Sequence, residues 1–276
     1  MIEATGAIGM YHKGYASVSK KASTDYLDRV FVDMMWYKAF SIYLVLRKGI
    51  NVLFQDVDLV WFRDPMSWFH NYREESRNRS AMTGAYAEAF FSDDGQRSMR
   101  YTPFYANSGF YYLVSSERST YFAWSIMIAM DAIQVLGSHQ NVMTTKLVEG
   151  LALAQQHTKI LSLEEFPTGI QYHHNRNYMK RMREGKVHPY GFHMCWTQGK
   201  PDKLIYLRKA LMWYLTPTCS PLGDLLADSR DPRQWKWGKP RPGPVYNYVE
   251  GLKELSVPEQ WTQLAEKCCT AMKNAP

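Results

Sequence analysis

The chain has 276 residues, ample for one large domain or two small ones with a sizeable core. Hydrophobic residues at 46% and charged residues at 21% are a globular balance that excludes wholesale disorder. The formal charge of +7 favours anionic partners such as nucleotides, phosphates or acidic polymers, but the absence of aromatic-interleaved basic runs and of zinc-finger spacing argues against nucleic acid.

In chain order, residues 1–24 read as a polar, Gly-containing leader without a strand. A helix is predicted from Ser23, Thr24 or Asp25 to about Lys48, with Gly49 as its stop. Within it Val30 to Leu46 is apolar but interrupted by Asp33 and Lys38, so it reads as a buried amphipathic helix and not a membrane span, and no secretory signal is read. The run Asn51 to Trp61 predicts a fully buried strand, and Asp64-Pro65 opens a helix to about Arg77 with Asp as N-cap. Asn78-Arg79-Ser80 is a formal glycosylation sequon, a weak signal by itself.

Further along, Ala81 to Ala87 is expected as a short strand, Phe91 to Gly95 as a turn, and Tyr105 to Val114 as a strand. Helices are predicted from Ser115 or Ser116 to Leu136 and from His139 to Gln156, then a strand over Lys159 to Leu163 and a loop over Phe166 to Gly169. Arg176, Lys180, Arg181, Arg183 and Lys186 fit one solvated helix face and its exit. Tyr190 to Trp196 reads as a strand and Asp202 to Leu215 as a helix. Pro and Gly crowd the chain from Pro217 onward, so residues 217–276 are expected as an irregular wrap closed by a short helix from Pro258 to Met272. Strands alternating with helices over residues 25–216 argue for one layered α/β domain. Cys195, Cys219, Cys268 and Cys269 form no metal-binding spacing; a Cys195–Cys219 disulfide and two free buried thiols stay equally open.

The chemistry concentrates in the Asn51 to Trp61 run. A buried strand should not carry two carboxylates unless something offsets their desolvation. On an extended segment Asp56 and Asp58 face one spot with Cα atoms roughly 6–7 Å apart, which suits a divalent cation holding a diphosphate. His193, a lone imidazole in an apolar strand, is more often a core residue; it nevertheless completes a carboxylate site for a first-row metal such as Mn²⁺. Lys200 or Lys203 after it can meet a phosphate as a point charge. Asn107-Ser108-Gly109 puts an amide and a close-approach Gly at the head of a strand, and Ser138-His139-Gln140-Asn141 opens a helix with more polar groups than a cap needs.

The run from Val52 to Pro65, then Ala106 to Tyr112, then Phe192 to Thr197, closely resembles the nucleotide-diphospho-sugar transferase family, over about residues 30–215. That family includes plant and algal arabinosyl-, xylosyl- and galactosyltransferases of cell-wall polymers and glycoproteins. The resemblance implies a GT-A-like, Rossmann-like mixed sheet flanked by helices, a DxD motif, Mn²⁺ (or Mg²⁺), a UDP-sugar donor, a glycan or glycoprotein acceptor, and retention at the anomeric carbon. It implies Asp56, Asp58 and His193 as metal ligands, with Asp56 also on ribose. Asn107 and Gly109 match the donor-sugar segment, and Gln140 the residue near the anomeric carbon; Gln140 and Asn107 are the candidate catalytic residues. Asp94 and Arg100 resemble the family's sugar and phosphate contacts, while His139, Lys200 and Lys203 are candidate substrate contacts on the reading of the residues alone. The family location is the Golgi or secretory lumen, and its members are usually membrane-anchored.

Two departures stand out. The family commonly writes Asp-Gln-Asp where this chain has His139-Gln140-Asn141, which bears on the choice of sugar. Several strands usually precede the DxD strand, so the N-terminal strands are expected to be missing here and that strand to have an open edge. A haloacid-dehalogenase-type phosphatase, with Asp93-Asp94 as its second acidic pair, and a non-catalytic remnant of the transferase scaffold are the competing readings.

Overall fold

The computed structural model describes residues 23, 27–79, 86–95, 104–154, 156–197, 199–210 and 212. They divide into two compact units, the larger holding the described residues up to 182 together with 187–196, the smaller holding 183–186 and the described residues from 197. The leader apart from Ser23, Arg100, and the region expected as a C-terminal wrap lie outside the described residues.

In the larger unit, α1 spans Arg29–Leu46. It starts later than predicted because Asp28 takes the cap: its carboxylate accepts from Phe31 N at 2.7 Å, just after Leu27 turns the backbone to φ +72°. Val32, Met35, Ala39, Ile42 and Leu46 recur at helical spacing and form its buried stripe. Gly49, at φ +78°, ends the run as expected.

The single strand expected over Asn51 to Trp61 is two. β1 (Val52–Gln55) and β2 (Leu59–Trp61) belong to different sheets, with a turn at Asp56–Asp58 between them. Nor is the run fully buried: only Val52 is, and Val57 at the turn is entirely exposed. Two like carboxylates separated by a solvent-facing valine leave a sheet more easily than they continue it. α2 (Met66–Arg79) follows, with Asp64 accepting from Met66 N at 2.9 Å as its sequence predicted.

β3 occupies Ala89–Asp93, so the strand expected over Ala81 to Ala87 lies later: Tyr86 to Glu88 are not strand, residues 81–85 are outside the described set, and Phe91 to Asp93 belong to β3 and not to a turn. β4 (Ala106–Leu113) is buried along its whole length. α3 (Glu117–Met127) is capped by Ser116, whose side chain and that of Ser119 bond each other's backbone. It does not reach Leu136; the chain bends 58° into α4 (Met130–Leu136), which Gly137 ends at φ +70°. This bent pair is apolar enough to raise the question of a span, but no single described helix is long and apolar enough to cross a membrane. α5 (His139–Leu153) starts at the N-cap Ser138, β5 is Thr158–Ile160, and α6 (Gly169–His174) and α7 (Arg176–Arg183) precede β6 (Gly191–His193). Within α7, Tyr178, Met179 and Met182 are buried and Arg176 and Lys180 exposed, the one-faced pattern the charges implied. α8 (Lys200–Lys209) belongs to the smaller unit.

The main sheet runs β1-β4-β3-β5, antiparallel except for the parallel pair β3 and β5. Its side chains alternate between two cores. Ala89, Phe91, Tyr111 and Leu113 meet the stripe of α1 and residues of α3 and α5, while Phe90, Phe110 and Tyr112 meet Phe69 of α2, Leu161 and Phe166. Burial on both faces is why Ala89 to Phe91 of β3 and Phe110 to Leu113 of β4 are apolar at successive positions. Among the described residues β1 is an edge strand. The architecture is the mixed, helix-flanked α/β sheet the sequence pattern calls for.

Candidate metal and nucleotide-sugar site

Two strand registers bring the acidic pair and the imidazole together. β1 pairs with β4 so that Gln55 faces Phe110, and one step on the Asp56 amide donates to the Gly109 carbonyl at 2.7 Å. β2 pairs with β6 so that Leu59 faces His193, and the Met194 amide donates to the Asp58 carbonyl at 3.0 Å. The turn between β1 and β2 therefore hangs both carboxylates beside His193. One ligand atom from each of Asp56, Asp58 and His193 lies within 4.8 Å of the other two, and His193 Nε2 is 3.3 Å from Asp58 Oδ1. The indole of Trp61 closes the turn by donating to Gln55 Oε1 at 2.6 Å.

Gly109 is there because nothing larger fits. A Cβ would stand 2.4 Å from His193 Cε1 and 2.8 Å from Asp56 Oδ2. The imidazole itself is 3% exposed, its amide donates to the Pro167 carbonyl at 3.1 Å, and its Nδ1 has no hydrogen-bond partner among the described residues. Two carboxylates and an imidazole, converging on one point beside a side-chain-free glycine, fit a divalent first-row ion.

Next to this point stands a polar layer. Asn107 Nδ2 donates to Asp94 Oδ1 at 2.7 Å, and Asn107 Oδ1 accepts from the Gly109 amide at 2.8 Å. Gln140 Oε1 accepts from the Ser108 amide at 2.9 Å and from the Ser108 hydroxyl at 3.1 Å. Burial raises the Asp94 carboxyl above its usual range, opposed by hydrogen bonds from Asn107 and Gln140 and by nearby His193. The N-cap Ser138, which accepts from Gln140 N at 3.2 Å, fixes the start of α5 and with it the Gln140 position.

His139, next to Gln140 at the start of α5, is buried, with neither ring nitrogen partnered among the described residues. Burial first, and the Lys38 charge second, pull it down to about 3, so it is neutral at any ordinary pH. Lys38 is the functional group that sequence reading missed. Its ammonium lies 2.5 Å from Asp56 Oδ1 and 5.2 Å from the Phe54 ring centroid. Its position carried a partial signal: a lysine interrupting the apolar helix α1 calls for a partner, but nothing local says which.

Of the remaining candidates, Arg100 lies outside the described residues, and Lys200 and Lys203 are on α8 in the smaller unit. Cys195 is a free thiol that burial, with Asp94 and Asp58 nearby, pushes up to about 12; Cys219 is outside the described set.

A family model for nucleotide-diphospho-sugar transferases matches residues 2–207, a span that includes every part of this site. The chain belongs to the nucleotide-diphospho-sugar transferase family. Family membership supports a glycosyltransferase-type function and makes the mixed sheet a GT-A-like one. An uncharacterized protein of Arabidopsis thaliana is 43% identical over 42 residues, which is 15% of this chain and 13% of that protein. No solved structure matches the chain.

Proposed function

We propose that this nucleotide-diphospho-sugar transferase is a divalent-metal-dependent, retaining glycosyltransferase that moves a hexose or pentose from a UDP-sugar to a glycan or glycoprotein acceptor. The observation that carries the reading is the convergence of Asp56, Asp58 and His193 beside Gly109. A divalent ion, Mn²⁺ or Mg²⁺, supplies at that point the positive charge that a departing diphosphate needs. Asp94, Asn107 and Gln140 hold and orient the hydroxyls of the donor sugar, and their mutual hydrogen bonds keep them in place before it arrives.

In the proposed reaction the bond from the anomeric carbon to the diphosphate oxygen breaks and a bond to the acceptor oxygen forms on the same face. The acceptor proton passes to the leaving diphosphate. The sequence offers no carboxylate in an obvious place for a covalent nucleophile, so we propose this front-face course over a covalent glycosyl intermediate.

The test is calorimetry with UDP and Mn²⁺. Binding that needs the metal, and that disappears in Asp58→Ala and His193→Ala, supports the reading; unchanged binding in both variants rejects it. A second reading, a glycan-binding scaffold without catalysis, is favoured by the Lys38 ammonium already lying on Asp56. No heat with millimolar UDP and Mn²⁺ would favour that alternative. By family resemblance we also expect a Golgi or secretory-lumen location, which colocalisation of the tagged protein with a Golgi marker checks.

A further inference from the structure

Three positions beyond His193, Trp196 adopts φ +62°, a left-handed backbone that a bulky side chain avoids. Such a conformation persists only where the surroundings enforce it, and it concentrates where a side chain must be aimed. Here the enforcement is visible on each side. The Cys195 carbonyl is pressed so closely on Gly169 that a Cβ there would lie 1.8 Å from it. The indole Nε1 donates to the Asp94 carbonyl at 2.7 Å. The His174 ring meets the indole edge-on, with centroids 5.8 Å apart at 81°. Yet the residue is 40% exposed.

The indole is thus fixed, its one polar atom is engaged by the protein, and what it offers to solvent is apolar ring surface. Its anchor, Asp94, is the residue whose carboxylate holds Asn107. The polar layer is buried, with Asp94 at 5% and Asn107 at 4% exposure, so the partly exposed indole, bonded to the Asp94 backbone, lies on its solvent side. We propose that Trp196 is a stacking platform for a sugar ring of the acceptor. A pyranose or furanose has an apolar C–H face and a hydroxyl rim, which matches an aromatic face beside a polar layer. The outer position selects the acceptor over the donor: the donor sugar is the ligand that reaches the buried layer, and the acceptor follows from solvent. The proposal rests on the glycosyltransferase reading and deepens it.

The experiment is saturation-transfer NMR on the full chain with methyl β-D-galactopyranoside, methyl β-D-xylopyranoside and methyl α-L-arabinofuranoside, beside calorimetry with UDP and Mn²⁺. The wild type should bind at least one glycoside, and with ¹⁵N-labelled tryptophan one indole resonance, missing from Trp196→Phe, should shift on its addition. Trp196→Ala should weaken that glycoside roughly tenfold, the scale of an aromatic stacking contact, and Trp196→Phe should retain most of it. UDP binding should stay unchanged in both variants. Equal glycoside binding in Trp196→Ala, or no glycoside bound by the wild type, overturns the proposal. Loss of UDP binding in step with glycoside binding in Trp196→Phe also overturns it, because the residue would then serve the donor or the fold. Failure of the wild type to bind UDP with Mn²⁺ counts against the transferase reading instead, and the glycoside result is read separately from it.

Discussion

Gly109 is the position where one added carbon should matter most. In Gly109→Ala the new Cβ meets His193 Cε1 at 2.4 Å and Asp56 Oδ2 at 2.8 Å, and the imidazole cannot retreat because it is buried and its own backbone is tied to Pro167. Mn²⁺ affinity by calorimetry should fall about 10–100-fold, the scale seen when a ligand's orientation is disturbed, with far-UV circular dichroism unchanged. Lys38 should act in the opposite sense. Its ammonium on Asp56 repels an incoming cation, so Lys38→Met should tighten Mn²⁺ binding without nucleotide by about tenfold; unchanged affinity would show that the lysine leaves Asp56 at no cost. His139 contributes to the acid response. Its folded value near 3 lies below the ordinary 6.5, so below about pH 6.5 the unfolded chain takes up a proton that the native one refuses. Its contribution is complete above that pH and drains away toward pH 3 at about 1.4 kcal/mol per pH unit. Asp94, raised by burial, works in reverse, favouring the native state at low pH and losing that effect as pH rises through its folded value. Urea midpoints of His139→Gln against wild type over pH 7 to 4 isolate the histidine: the variant should lose less stability on acidification. The acidic pair Asp56 and Asp58 stood out in the sequence because it interrupts an apolar run, and the structure brings His193 to it from 135 positions beyond Asp58. The Lys38–Asp56 pair did not stand out, since nothing local reveals that a helix side chain reaches across 18 positions to a strand end.

At the scale of elements, helices were read better than strands. Asp64, Ser116 and Ser138 sit at the starts of α2, α3 and α5, where short side-chain oxygens meet otherwise unpaired amides, and that signal is local. The break between α3 and α4 at Ile128–Ala129 has no Pro or Gly to announce it, so an apolar run of helix formers read as one helix. The division of the DxD run into β1 and β2 was hidden for a related reason: hydrophobicity cannot say that Leu59 to Trp61 pair with β6 while Val52 to Gln55 pair with β4. Val57 distinguishes the two arrangements. In a continuous buried strand Val57→Asn would open a costly polar defect, whereas at an exposed turn it should change stability by no more than about 0.5 kcal/mol. A loss of several kcal/mol in urea titration would restore the single strand.

For the whole molecule, the layered α/β class followed from alternating strand and helix patterns, but the sheet order β1-β4-β3-β5 could not, because pairing between distant segments leaves no periodic mark. That order has an energetic consequence. The three candidate ligands come from the turn that follows β1 of the four-stranded sheet and from β6 of the two-stranded sheet, so a cation held by all three ties one sheet to the other. The unfolded chain places these residues 137 positions apart (Asp56 to His193) and offers no such site. An ion that binds only the native state stabilises it by RT ln(1 + [L]/Kd), about 2.7 kcal/mol at a hundredfold excess over Kd. For a domain of this size that corresponds to a rise in Tm of roughly 5 °C or more. Thermal scans of the apo-protein with added Mn²⁺ should show the rise, EDTA should reverse it, and Asp58→Ala should have no rise to reverse. A midpoint that ignores Mn²⁺ in the wild type, or that rises equally in Asp58→Ala, would mean the two sheets are held together by their apolar contacts alone and that the acidic turn grips nothing.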